Sequence, residues 1–357
     1  MKHYTTLANP QTYQKAIAYL DRLKAGEKAG EYLHHKLKNI ALDLVTIPEF
    51  IELLMQTKRP QIFAESAVFG NGIDWNQAEL SILGDLSIVT PVTVYDNGKH
   101  RHPDVHESPF AATLIFTPGA LLRNDNQITP VDWDEVTTNG KMNSEGYYRL
   151  YERRLLPAFL YINELATQQG KKALITIPGM GCGQFAGIFR GQLGTELKQT
   201  LINFLQAHAS KFSQIQAVYY DPYSECDNDR IEIEGISLFV RPLLKGNTNK
   251  PQLCLPQTYA EDGDNFDNCE LFSFVAWDHV SWPGNDFYLN ARSTDDGVKA
   301  AATNVMQVMT GIEGTYNSQL DRYCQPREYE TWKEVVSKNK IQLHTNYNLI
   351  VLPSTDR

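Results

Sequence analysis

The chain opens on helical spacing. Tyr13, Ile17 and Leu20, then Leu33, Leu37, Ile40, Ala41 and Leu44, recur every three or four positions, as on a helix face turned toward a core. Gly26 and Gly30 fall between the two runs and break them. Pro48 suits the first turn of a third helix, PEFIELLMQ. These runs predict a helical front piece over residues 1–62. Near Gly84 the texture changes. GDLSIVTPVTVYD and AATLIFTPGAL are apolar, rich in β-branched residues and bounded by turn residues, so each reads as a strand. Residues 123–145 are polar and predict a long surface loop. A helix over about 147–169, kinked or divided at Pro157, leads to an apolar strand that runs into a glycine-rich turn, KKALITIPGMGCGQFAG. The next helix, about 195–209, carries Leu197, Leu201, Leu205 and Ala209 on one face, and strands follow at IQAVYYDPY, GISLFVRPLL and CELFSFVAW. DDGVKAAATNVMQVMTG reads as a single helix started by Ser293–Thr294 and stopped by Gly311. A short helix, REYETWKEVVSK, and an apolar run, YNLIVL, complete the chain. Strands alternating with helices predict a three-layer α/β fold around a mixed, mostly parallel sheet.

Composition narrows the class. A chain of 357 residues holds one large domain or two ordinary ones, and the change of texture divides it into a front extension, 1–62, and a main domain, 63–357. With 42% hydrophobic and 21% charged residues it folds into a core. The net charge of −9 argues against nucleic acid or an anionic membrane as partner. An anionic small ligand stays open, because backbone N–H groups bind phosphate without lysine. Five cysteines, an odd number with no CxxC pair, fit reduced thiols in a cytosolic setting. The N-terminal residues lack an apolar signal core, and no run of about 18 apolar residues predicts a membrane span. A secretion signal of another kind, for example a C-terminal one, is compatible with both observations. The pair His34–His35 and the loop histidines His100, His102 and His106 lack ligand spacing, and Pro103 breaks any helical pairing, so no metal site is predicted.

Two stretches carry the chemistry. In AWDHVSWPGNDFYLNARSTDDG, residues 276–297, Asp278, Asp286, Asp295 and Asp296 are interleaved with Trp277, Trp282, Phe287, Tyr288 and Arg292. Aromatic walls around convergent acids describe a ligand pocket, since apolar rings exclude water and raise carboxylate pKa values. The competing reading is a run of caps and turns around a strand. The second stretch is the loop Gly179, Gly181, Cys182, Gly183, Gln184, Phe185, placed after a strand, where glycine lets backbone N–H groups approach phosphate oxygens. A Walker loop needs Lys-Ser or Lys-Thr where Gln184-Phe185 stand. A dinucleotide fold wants an acid about twenty residues on, whereas the next strand ends only at Asp221.

With these residues in view, ITIPGMGCGQFAG resembles the phosphate- and ribose-binding loop of macrodomains, which bind ADP-ribose. Gly84-Asp85-Leu86-Ser87 is similar to the turn whose acid lies near the adenine in that family. Asp278, Asp286 in WPGND and Asp296 in STDDG resemble the active-site acids of divergent macrodomain hydrolases among secreted bacterial effectors, the MavL type. The ordinary Asn-Ala-Ala-Asn segment is missing, so the ordinary catalytic asparagine does not carry over. The resemblance implies a macrodomain-like fold from about residue 65 onward and cleavage of mono-ADP-ribose from arginine side chains of modified host proteins, with no cofactor. It implies that Asp286 and Asp296 assist cleavage of the N-glycosidic bond, with Asp278 holding ribose hydroxyls or orienting the pair. Asp85, the glycine loop, Asn285, Tyr288, Phe185 and Asp295 would contact the ligand. Three other readings stay open: a non-catalytic ADP-ribose reader, a nicotinamide-dinucleotide enzyme, and acids that ligate Mg²⁺.

Overall fold

The computed structural model describes residues 4–62, 68–344 and 348–354. The front of the chain supplies β1 (Thr5–Ala8) and helices α1 (Pro10–Lys24), α2 (Glu31–Leu37), α3 (Ile47–Met55) and α4 (Gln77–Leu83). Then come β2 (Ser87–Asp96), β3 (Val105–Pro118), the single turn α5 (Trp133–Val136) and a small hairpin, β4 (Thr137–Thr138) and β5 (Lys141–Met142). The long α6 (Ser144–Gln169) leads to β6 (Lys172–Pro178), α7 (Leu193–His208), β7 (Ile215–Asp221), β8 (Asp229–Ile233), β9 (Ile236–Val240) and β10 (Cys269–Trp277). The chain continues through α8 (Asp295–Ala302), α9 (Val305–Thr310), the hairpin β11 (Thr315–Asn317) and β12 (Arg322–Cys324), α10 (Trp332–Lys338) and β13 (Leu349–Val351).

Nine of the described strands form one mixed sheet in the order β13-β1-β2-β3-β10-β6-β7-β9-β8. The stretch β3-β10-β6-β7-β9 is parallel throughout. Its central strands are buried on both faces, which is why KALITIP and CELFSFVAW are nearly unbroken apolar runs. On one face Ile175, Ile177, Val218, Phe272 and Phe274 pack against α6 and α7. On the other Leu174, Ala217, Leu271, Val275 and Trp277 pack against α1, α3, α4, α8, α9 and α10. The result is three layers, helix, sheet and helix.

The structure departs from the sequence reading in four places. The front piece is woven into the fold: β1 lies between β13 and β2, and Tyr19, Leu20, Phe50 and Met55 share a core with Val305 and Met306. The helix α6 runs unbroken through Pro157. The segment expected as surface loop contains α5 and the β4–β5 hairpin. The helix expected over 295–311 divides, because Thr303 bridges Val94 of β2 and the Asn304 side chain accepts the Thr93 N–H at 2.8 Å.

For function the consequence is one crowded edge. The carboxyl ends of β3, β10, β6 and β7 lie together, with Pro118 beside Trp277 and Pro178 beside Asp221. The antiparallel β2 starts at that edge, with Ile88 beside Phe116. In open α/β sheets this is where ligands bind.

Candidate active site

The glycine loop leaves β6 at this edge and is fastened by tyrosine. The Tyr151 hydroxyl, from α6, accepts the Ala120 N–H at 3.1 Å and donates to the Met180 carbonyl at 2.6 Å, joining the loops after β3 and β6. The Leu122 N–H donates to the Phe185 carbonyl at 2.9 Å. Gly181 is required by geometry: its φ is +74°, and a Cβ there would lie 2.8 Å from the Ala120 nitrogen. Cys182 is buried, its thiol pushed well up by burial, so it behaves as a packing residue and not a nucleophile. Gly183 and Gln184 are exposed, and Phe185 is half-buried. The Gln184 side chain accepts from Arg123 at 3.0 Å. The loop does not open a helix directly, because a 3₁₀ segment, Gln184–Phe189, precedes α7. An open groove of about 440 Å³ lies beside it, lined by Leu122, Arg123, Asn124, Gly183, Gln184 and Arg190 among others.

The acids occupy the neighbouring strand end. Asp278 follows β10 directly and is buried. It accepts the Val280 N–H at 2.7 Å, the Ser281 N–H at 2.6 Å and the Ser281 hydroxyl, and the Asn285 amide approaches at 3.4 Å. Asp295 accepts the Ala276 N–H at 2.8 Å, which brings the start of α8 to the end of β10. It also pairs with Lys299 one helical turn on. Asp296 is fully enclosed and accepts the N–H groups of Gly284 at 2.7 Å and Asn285 at 3.1 Å. Asp286 accepts the N–H groups of Ser293 at 2.9 Å and Thr294 at 3.1 Å, and the Thr294 hydroxyl at 2.7 Å. The two segments thus brace each other. Gly297 makes room for this, since a Cβ there would lie 2.0 Å from an Asp286 oxygen.

Electrostatics separates the acids. Burial first, then the neighbouring Asp286 and Asp278, push the Asp296 carboxyl well above the usual carboxylate range. Burial also raises Asp286, but the Thr294 hydroxyl and the Ser293 and Thr294 N–H groups oppose it. The Asn285 side-chain oxygen accepts the Ile62 N–H at 2.8 Å, which ties the front of the chain to the acids. Tyr288 is fully buried against Trp282, with ring centroids 6.1 Å apart, and so forms wall and not a ligand platform. Its hydroxyl has no hydrogen-bond partner among the described residues, and burial first, then the charge of nearby Asp296, push it well up.

Sequence reasoning missed the cations. Asp85 does not stand open to an adenine: both oxygens are taken by Lys15 at 2.7 Å, Arg153 at 2.7 Å and Arg154 at 3.1 Å. Burial alone would raise it, and these three cations hold it down to about 2. Arg154 continues to Asp132 at 2.7 Å and to the Pro118 and Gly119 carbonyls. Asp132 accepts the Leu121 N–H at 2.8 Å and lies 3.3 Å from His279, beside Asp278. This buried chain links the start of β2 to the ends of β3 and β10. A doublet of arginines inside the otherwise apolar LLPAF helix was the available signal. The second omission is Lys58, a buried lysine that ends the α3 region beside Asp278.

No group of three or more His, Cys, Asp or Glu side chains with metal-holding geometry occurs among the described residues. His106 lies in β3, bonded to the Leu253 carbonyl, apart from His34 and His35 on α2. No helix among the described residues is long and apolar enough to cross a membrane. The site therefore presents a tight glycine turn with an open groove beside it, and, at the neighbouring strand end, a set of braced acids of unequal proton affinity that do not line that groove. The family model described as Macrodomain effector MavL matches residues 4–329, so the match includes the front helices. No curated protein matches the chain. The three-layer fold with its mixed, mostly parallel sheet agrees with that family, whose macrodomain character associates the chain with ADP-ribose. The chain belongs to the MavL family of macrodomain effectors.

Proposed function

We propose that this protein is an ADP-ribosyl hydrolase that removes mono-ADP-ribose from arginine side chains of modified host proteins. The observation that supports the proposal is that Asp296, in the first turn of α8, and Asp286, in the turn before it, are braced at the end of β10, the strand paired with the β6 that leads into the Gly181 loop. Backbone N–H groups of that loop receive the diphosphate, and the half-buried Asp286 meets the distal ribose. Cleavage of the N-glycosidic bond passes through an oxocarbenium-like state. Asp286, stabilised as an anion by three donors, balances that cation and takes a proton from the attacking water. Asp296, whose carboxyl is pushed up by burial and by two neighbouring acids, is the proton source for the departing guanidine nitrogen. Asp278 and Asn285 orient the pair.

One observation favours a second reading, a non-catalytic ADP-ribose reader. Asp286 and Asp296 already serve as acceptors for four backbone N–H groups, those of Ser293, Thr294, Gly284 and Asn285, which is a structural duty sufficient to retain them. Incubation with an arginine-ADP-ribosylated protein separates the two. Release of free ADP-ribose, abolished by Asp286→Ala and by Asp296→Asn, supports the hydrolase; binding of ADP-ribose without release supports the reader.

A further inference from the structure

The chain after α3 threads a lysine into the acid stretch. The Arg59 N–H donates to the Val280 carbonyl at 2.8 Å, and the Arg59 carbonyl accepts the Trp282 N–H at 2.7 Å. The Lys58 carbonyl accepts the Trp282 indole N–H at 3.0 Å. This lacing encloses the Lys58 side chain, which is 2% exposed. Its Nζ donates to the His279 carbonyl at 2.6 Å and approaches the Asp278 carbonyl at 3.5 Å, 3.9 Å from the centre of the Trp277 ring system.

The cations around this site have other partners. Lys299 pairs with Asp295, Arg292 with Asp96, and Arg153 and Arg154 with Asp85, Glu135 and Asp132. Among the described residues, neither Asp278, Asp286 nor Asp296 has a cation within 4 Å. A buried acid cluster with no close counter-charge needs a cation in its field. Lys58 and Lys299 are both enclosed cations in the field of Asp296, and Asp278 acts on Lys58 as well.

We infer that Lys58 is a positioning residue of the hydrolytic site: its ammonium grips the Asp278–His279 turn by two carbonyls and supplies the positive charge against which the Asp278–Asp296 pair is set. The inference deepens the hydrolase reading and rests on it. The groups facing the ammonium are the Trp277 ring and Asp278 at the end of β10, and Asp296 from α8. Burial pulls Lys58 down to about 7 against the opposing pull of those two acids. Its charge is therefore present in acid and fades as the pH rises through about 7, so the site loses its counter-charge on the alkaline side. Arginine stays charged throughout this range.

The test compares the full-length wild type, Lys58→Arg and Lys58→Met from about pH 5 to about pH 10, using release of ADP-ribose from an arginine-ADP-ribosylated protein. The wild-type rate should fall on an alkaline limb near pH 7 to 8, and Lys58→Arg should move that limb up by about one pH unit or more. Lys58→Met should lower kcat roughly tenfold at pH 6 while changing ADP-ribose affinity less than about threefold. An unchanged limb in Lys58→Arg, or a wild-type profile in Lys58→Met, overturns the inference.

A substrate-free arm separates its failure from that of the hydrolase reading. Between about pH 7 and about pH 10.4 the unfolded chain binds a proton that folded Lys58 has released, so wild-type stability should rise with pH relative to Lys58→Met. In an Asp296→Asn background, where Lys58 has one acid fewer to feel, that difference should begin at lower pH. Both shifts without any turnover would support Lys58 and sink the hydrolase; neither shift would sink Lys58.

Discussion

Replacing Gly297 with alanine tests the acid site without touching an acid. The added methyl carbon would lie 2.0 Å from one Asp286 oxygen, 2.5 Å from its Cγ and 2.6 Å from the other oxygen. The overlap is with the far end of the Asp286 side chain, so its carboxylate must swing away. It then gives up the Ser293 and Thr294 N–H groups and the Thr294 hydroxyl. Hydrogen bonds to a charged group contribute roughly 1.5–3 kcal/mol each when buried, and less here because Ser293 and Thr294 are exposed. Against that loss stands about 0.5–1 kcal/mol gained by replacing a helical glycine with alanine. The net expectation is a destabilisation of about 2–4 kcal/mol, a drop in Tm of roughly 3–5 °C for a chain of this size. Urea unfolding and differential scanning calorimetry give the first number. The rate of ADP-ribose release gives the second, which should fall as far as it does in Asp286→Ala. A Gly297→Ala protein with wild-type stability and wild-type turnover would refute the placement of Asp286.

Three further outcomes follow from the same contacts. Asp296→Asn keeps one acceptor and removes the buried ionisable proton, so it should fold normally and bind ADP-ribose but release none. The raised carboxyl of Asp296 contributes stability that is fully present below about pH 4 and is lost as the pH climbs through its folded value, so Asp296→Asn should flatten the urea midpoint across that range. A variant with the same slope as wild type would contradict the burial of Asp296 as an acid. Arg154→Met strips a partner from two buried carboxylates, Asp85 and Asp132, and should cost about 3–5 kcal/mol in urea unfolding, whereas a loss below about 1 kcal/mol would show the network to be dispensable. Because Asp278, Asp286 and Asp296 spend their oxygens on N–H and O–H donors, turnover should be unchanged by EDTA, and restoration of a lost rate by Mg²⁺ would overturn that assignment.

The elements that the sequence revealed are those whose burial is local. CELFSFVAW reads as a strand and is one, end to end, because both faces of β10 are covered and every residue type agrees. The start of α8 was equally legible: Thr294 caps it, and its hydroxyl accepts the Gly297 N–H at 3.1 Å. What was hidden depends on partners far along the chain. The TTLA of β1 is too short to announce itself and becomes a strand only between Ile350 and Ile88. β8 is an edge strand whose DRIEI pattern alternates charged and apolar residues, so it lacks the continuous apolar run that betrayed β6 and β10. Thr303 and Asn304 look helical and are drawn out of the helix by β2. The acid stretch and the glycine loop were visible as composition, but their joint position at one sheet edge required the register of β6 on β10. Lys58 and Arg154 were invisible for the same reason: a lysine or arginine reads as solvated until its carboxylates and carbonyls, about 20 to 220 residues away in the chain, are brought to it.

The central claim is that a glycine turn binds a diphosphate beside the acids, and calorimetric titration of ADP-ribose tests it most directly. Wild type should bind with heat and a defined stoichiometry of about one. Gly181→Ala, which forces a side chain onto a +74° backbone against the Ala120 nitrogen, should lose at least about tenfold in affinity while Asp296→Asn retains it. Absence of binding in the wild type, or equal affinity in Gly181→Ala, would contradict the account.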